Sequence, residues 1–142
     1  MFSREESKRI REEFWTEFGQ LYRRKWVLYD TKIKEVQLKF TFTTELAQVS
    51  LDVHSPDDVI QEYYTEKFHS LIDVLKTEYL PEAILDDGYL LPEGKLVMRI
   101  FVQLDKVNIH NRNHWPLVYE FLYKNMDLLE SFFEDFKDFI KE

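Results

Sequence analysis

The sequence predicts an α+β domain in which a mainly antiparallel sheet of two hairpins is covered by three helices, in the order α-β-β-α-β-β-α. Three observations predict it. Apolar residues alternate twice between Val36 and Val53 around a polar break, and a further alternation runs from Leu96 to Leu104. The stretches before, between and after these carry apolar residues at spacings of three and four, the period of a helix. No internal repeat, linker or low-complexity tract divides the 142 residues, so the chain reads as one domain over 1–142.

The first helix is expected over about Arg4 to Arg24. Ser3 with Glu6 three residues on has the form of a reciprocal capping box. Ile10, Phe14, Phe18 and Leu21 make its apolar stripe, widened by Trp15 and Tyr22, and Arg23, Arg24 and Lys25 oppose the negative end of the helix dipole. Trp26 to Lys34 then reads either as an extended approach to the first strand or as an irregular loop packed through Trp26, Leu28 and Ile33. In the first hairpin Val36, Leu38, Phe40 and Phe42 alternate, and Ala47, Val49, Leu51 and Val53 repeat the pattern. With Thr44 and Glu45 at the centre of the turn, Phe42 faces Ala47, Phe40 faces Val49, Leu38 faces Leu51 and Val36 faces Val53, so register and burial agree on every rung. The other face, with Gln37, Lys39, Thr41, Gln48, Ser50 and Asp52, is expected to meet water.

Ser55-Pro56-Asp57-Asp58 predicts a helix start with Ser55 as cap and Pro56 at the first helical position; Ile60, Tyr64, Phe68, Leu71 and Leu75 face inward until Pro81. Ile84 to Leu104 reads as the second hairpin, turning at Leu91-Pro92-Glu93-Gly94. Its first strand is interrupted by Asp86, Asp87 and Gly88, and only Tyr89 to Leu91 is assigned with it. Val97 and Phe101 on the second face of the following strand predict that this face is partly covered. The last helix is expected from Asn113, as cap, to about Ile140. It carries one apolar line through Val118, Leu122, Leu129, Phe133, Phe136 and Ile140 and a second through Phe121, Leu128, Phe132 and Phe139. Two lines are more than one flat sheet requires, which predicts contact with another helix or a second subunit.

Composition narrows the function. Hydrophobic residues at 44% with only 3 Gly and 4 Pro argue for a folded globule. The absence of cysteine excludes disulfides, thiolate catalysis and Cys-based metal sites. A net charge of -8 argues against a general nucleic-acid or anionic-membrane surface while leaving room for a local basic patch. No apolar run approaches the roughly 20 residues needed to cross a bilayer, and the N-terminus lacks the apolar core of a signal peptide, so a cytoplasmic protein without membrane contact is expected. The 12 Phe, 8 Tyr and 3 Trp supply either an aromatic core or a partner surface.

Four sets of residues carry possible chemistry. Asn108, Asn111, Arg112 and Trp115 combine donors, acceptors, a planar guanidinium and an amphipathic ring, which suits a carboxylate, phosphate or base; equally, the Asn side chains can satisfy an irregular connection while Arg112 pairs with an acid. Arg24, Lys25, Trp26, Lys32, Lys34 and Lys39 form a local nucleic-acid patch, or else complement the acid-rich last helix. Phe132 and Phe139 mark a candidate interface on that helix. Glu82, Glu93 and Lys95 have the spacing of a metal-dependent nuclease site, but Glu93 and Lys95 straddle a Pro-Gly turn, where such a site needs a stiff strand. His110 and His114 lie four apart without an acid at ligand spacing. No catalytic, cofactor or metal site is assigned.

Val107-Asn108-Ile109, Asn111-Arg112 and Trp115-Pro116, together with Phe14-Trp15 and the approach from Trp26 to Lys34, resemble a bacterial family, domain of unknown function 4268 (DUF4268). The resemblance covers nearly the whole chain. Members stand alone or behind regions resembling restriction endonucleases, which implies an accessory or interaction role near nucleic-acid processing and brings no catalytic residues. The expectation is a non-catalytic interaction module, protein-binding or self-associating as a homodimer. The alternatives are an accessory domain touching DNA or RNA and, third, a divergent metal nuclease.

Overall fold

The computed structural model describes residues 2–142. Helix α1 spans Arg4–Leu21, strands β1 and β2 Val36–Phe42 and Leu46–Val53, helix α2 Asp58–Glu78, strands β3 and β4 Ile84–Leu90 and Leu96–Asp105, and helix α3 Trp115–Lys141, preceded by a 3-10 turn at Arg112–His114. The strands form one antiparallel sheet in the order β1-β2-β4-β3. This is the α+β architecture and element order that the alternations and helical stripes predict.

The first hairpin has the expected register, with Val36, Leu38, Phe40 and Phe42 opposite Val53, Leu51, Val49 and Ala47. Met98, Ile100 and Val102 of β4 extend the same apolar face, which all three helices cover. Phe14 of α1 meets Phe42, Trp115 and Tyr119, so α1 lies along the β1 side and against α3. On the other side α2 brings Phe68, Leu71 and Leu75 into the core and reaches β3 where His69 Nε2 stands 2.6 Å from Asp87 Oδ1.

Helix ends are set by local chemistry. Ser3 Oγ accepts from the Glu6 N–H and the Glu6 carboxylate accepts from the Ser3 N–H, both at 3.1 Å, completing the capping box. α1 stops at Leu21 rather than Arg24, because the chain turns there to carry Arg24 toward α3. The segment up to β1 is an irregular loop, with Leu28 and Lys32 in the left-handed region (φ 44° and 67°) and the buried Thr31 Oγ1 accepting from the Ile33 N–H. The cap of α2 is Asp57 and not Ser55: Asp57 Oδ1 accepts from Val59 and Ile60 N–H, while Ser55 Oγ accepts from the Asp57 N–H. Likewise Asn111 caps the 3-10 turn ahead of α3 in place of Asn113.

Two expectations about exposure are overturned. Gln48, Ser50 and Asp52 are fully buried instead of meeting water. The reason is β3, which runs from Ile84 and shifts register between Asp86 and Tyr89, bringing Tyr89 over this face; Val97 and Arg99 are buried with it. Phe132, expected as part of an exposed interface, is 0% exposed, with its ring 5.5 Å from Tyr79 and 5.3 Å from Phe136. The second apolar line of α3 is therefore absorbed largely inside one chain, with Phe139 left 39% exposed near its end.

Candidate interaction cleft

The polar face of the sheet is built by register. Pairing of Asp52 with Arg99 and of Gln48 with Gln103 sets four long polar side chains side by side across β2 and β4. Arg99 donates from Nε and Nη2 to the two Asp52 oxygens at 2.7 and 2.8 Å, and from Nη1 to Gln48 Oε1 at 2.8 Å. Gln48 Nε2 donates onward to Gln103 Oε1 and to the Tyr89 hydroxyl, and the Tyr89 ring lies 4.3 Å from the Arg99 guanidinium. Burial alone would lower the Arg99 pKa; the Asp52 carboxylate outweighs it and raises the value, so the guanidinium stays charged. Ser50 Oγ, beneath this network, is the one buried side-chain polar atom without a partner among the described residues.

Beside the network the sheet surface is concave. A cleft of about 440 Å³ runs past Lys39, Thr41, Tyr89, Glu93 and Arg99 to Trp15. A smaller recess of about 180 Å³, lined by Trp15, Leu28, Tyr29, Leu38, Lys39 and Phe40, adjoins it, and the two share Trp15, Lys39 and Phe40. Between them lies the outer edge of β1. The Leu38 N–H is taken by Leu28 O at 2.9 Å, and strand alternation points the amides of Phe40 and Phe42 the same way. Among the described residues no backbone group pairs with them.

The sequence-derived candidates fall elsewhere. Asn108, Asn111, Arg112 and Trp115 do come together, as a self-satisfied connection. Asn108 Oδ1 accepts from the His110 N–H, Asn111 Oδ1 from the Asn113 N–H, and Trp115 Nε1 donates to Ile109 O from a buried position. Arg112 pairs with Glu13 and lies 4.7 Å from the Trp115 ring. A groove of about 400 Å³ beside it is lined by Phe2, Glu6, Arg9, Ile10, Glu13 and Arg112, with carboxylates alternating with the cations.

The basic set is dispersed. Arg24 donates to Asp127 at 2.7 Å and Glu130 at 2.9 Å, and its guanidinium lies 4.1 Å from the Trp26 ring; against the opposing effect of burial, these carboxylates raise its pKa. Glu130 also accepts from the Val27 N–H, which fastens the loop after α1 to α3. Lys32 pairs with Asp30, Lys25 and Lys34 are exposed, and Lys39 alone of the set borders the cleft. Glu82, Glu93 and Lys95 are exposed, Glu93 within the turn closed by Gly94 N–H to Leu91 O and Lys95 just after it. Among the described residues no three His, Asp or Glu side chains converge in a metal-binding arrangement, and no helix is long and apolar enough to cross a membrane. Sequence reasoning missed the Asp52–Arg99 network and the free edge. A signal for the edge was present in Lys39, a cation in the middle of the strand, as edge strands often carry.

The family model described as domain of unknown function (DUF4268) matches residues 10–137 of the chain. No curated protein and no solved structure matches it.

Proposed function

The chain belongs to the family of domains of unknown function DUF4268, whose description assigns no activity, and from that premise we propose that it is a non-catalytic, protein-binding module that engages its partner along the cleft beside β1. One observation carries this reading: two recesses meeting at Trp15, Lys39 and Phe40 flank a strand edge on which the amides of Phe40 and Phe42 lack partners among the described residues. Unpaired edge amides beside apolar recesses are what strand-adding partners use. The guanidinium groups of Arg24, Arg99 and Arg112 are all engaged by carboxylates, which favours a protein partner over a phosphate backbone. An accessory role in the cytoplasm beside nucleic-acid-processing proteins, as the resemblance implies, fits this reading, with contact made to protein.

Panning a random peptide display library on the folded chain tests it. Enriched clones are expected to compete for one site and to lose binding to Trp15→Ala and to Thr41→Trp, the second of which fills the cleft from an incompletely buried position. Failure to enrich any clone, or clones indifferent to both substitutions, refutes it.

A further inference from the structure

We propose that the free edge of β1 takes up an acidic, extended segment of a partner protein as a fifth strand of the sheet. The inference rests on the interaction role above and names the occupant of that same cleft. The backbone supplies the first argument. The Leu28 carbonyl already bonds the Leu38 N–H in the position of a further strand, and the Phe40 and Phe42 amides continue the same row. A segment entering beyond Leu28 would extend a ladder that the chain itself begins.

Side chains of an added strand alternate between faces. Those on the helix side would meet the recess of Trp15, Leu28 and Tyr29, which is apolar. Those on the other side would meet Lys39 and Thr41, with Glu93 at the far wall of the cleft. Among the described residues neither Lys39 nor Arg11, which shares a surface depression with Trp15, is held in an ion pair, whereas Lys8 in that depression is paired with Glu12.

Charge is distributed to match. Residues 1–42, which supply α1, the following loop and β1, carry 10 Lys and Arg against 7 Asp and Glu, and residues 43–142 carry 9 against 20. Residues 1–42 are thus net basic, at +3, in a chain of net charge -8, and of their cations Lys39 and Arg11 stand beside the open edge outside any ion pair among the described residues. An acidic strand is drawn to that portion and turned away from the rest. A second copy is the less suited occupant. Antiparallel pairing of β1 with itself about Phe40 would set the two Lys39 side chains on one face at a diagonal of roughly 7–8 Å, a repulsive placement.

Two pools of short synthetic peptides test the occupant, with random apolar residues alternating in one with glutamate and in the other with lysine, against the ¹⁵N-labelled chain. The acidic pool is expected to bind and to slow hydrogen exchange at Phe40 and Phe42 by at least about tenfold, leaving the already bonded Leu38 amide little changed. Lys39→Glu, an incompletely buried substitution, is expected to weaken that binding about 3–10-fold. Equal retention of the lysine pool, protection elsewhere than Phe40 and Phe42, or a peptide-free dimer by light scattering with these amides protected overturns the inference. If display clones bind at the cleft but are basic or helical, only the acidic strand fails. If nothing binds the chain by either route, the interaction reading fails with it.

Discussion

Removing the Asp52 carboxylate strands a guanidinium that water cannot reach. The two side chains are 1% and 3% exposed and share two hydrogen bonds, so in Asp52→Ala Arg99 keeps only neutral neighbours among the described residues, Gln48 Oε1 at 2.8 Å and Tyr89. Truncating one partner of such a buried pair costs about 3–5 kcal/mol, because the remaining charge keeps its desolvation penalty. Unfolding entropy of about 2.1 cal/mol/K per residue gives roughly 0.3 kcal/mol/K for a chain of 142 residues, so Tm should fall by about 10–17 °C. Gln48→Ala, which leaves the ion pair intact, should cost only about 1–3 kcal/mol. Thermal and urea denaturation followed by circular dichroism measure both. The double substitution Asp52→Leu with Arg99→Met should recover most of the loss, since an apolar pair of similar volume avoids the buried charge. An Asp52→Ala cost below about 1 kcal/mol, the range of solvated pairs, would refute the argument that Tyr89 and β3 seal this face. A double variant as unstable as Asp52→Ala would show that packing and not charge sets the loss.

Other consequences follow from burial and caps. Phe132→Ala should destabilise by about 3–5 kcal/mol without altering the mass seen by light scattering, whereas Phe139→Ala should cost far less; a change of oligomeric state on Phe132→Ala would restore the interface reading. Ser3→Ala should cost about 1 kcal/mol, read as a Tm shift of roughly 3 °C, and no shift would mean that the box at Glu6 contributes nothing. Tyr119 should titrate well above an ordinary phenol, held up first by burial and then by the charge and hydrogen bond of Glu17, with Arg112 opposing. Its folded pKa is raised above its unfolded value near about 10. Its contribution to stability is therefore complete below that pH and is lost as pH rises through the folded value. Burial of Tyr64 and the Asp135 hydrogen bond of Tyr79 act in the same direction. Tyrosinate absorbance should show these groups titrating late, with Glu17→Gln bringing Tyr119 down; simple titration of every tyrosine near the model-compound value in the folded chain would contradict it.

What could be read from residues alone was whatever a short window determines. The hairpin register was legible because two alternations meet around Thr43, Thr44 and Glu45, and any slip would turn Leu38 and Leu51 outward. The Ser3–Glu6 box was legible because both halves lie within one turn. At Ser55-Pro56-Asp57-Asp58, by contrast, two capping side chains compete, and pattern cannot tell that Asp57 takes the helix amides while Ser55 takes Asp57. The fate of Gln48, Ser50 and Asp52 depends on a strand some forty residues away, whose own signal is broken by Asp86, Asp87 and Gly88. Alternation separates two faces of a strand; it does not say which distant segment will cover the polar one. The last helix posed the converse problem. Its two apolar lines imply two contacts, and whether the second lies in the same chain is decided by α2 and Tyr79, outside any window on α3.

The buried network and the open edge bear on one another through β2. On one face β2 is locked to β1 and β4 by apolar rungs, and on the other Gln48 and Asp52 tie it to Arg99, so slippage would break both sets at once. Strand β1 pairs along its whole length with this doubly fixed neighbour, which holds the Phe40 and Phe42 amides in place before any partner arrives. A preformed edge spares an incoming segment the cost of ordering its receptor. The covering of the polar face therefore has a use beyond stability: with β2 fixed from both sides, the short open stretch of β1 can act as a rigid template even though it is an outer strand.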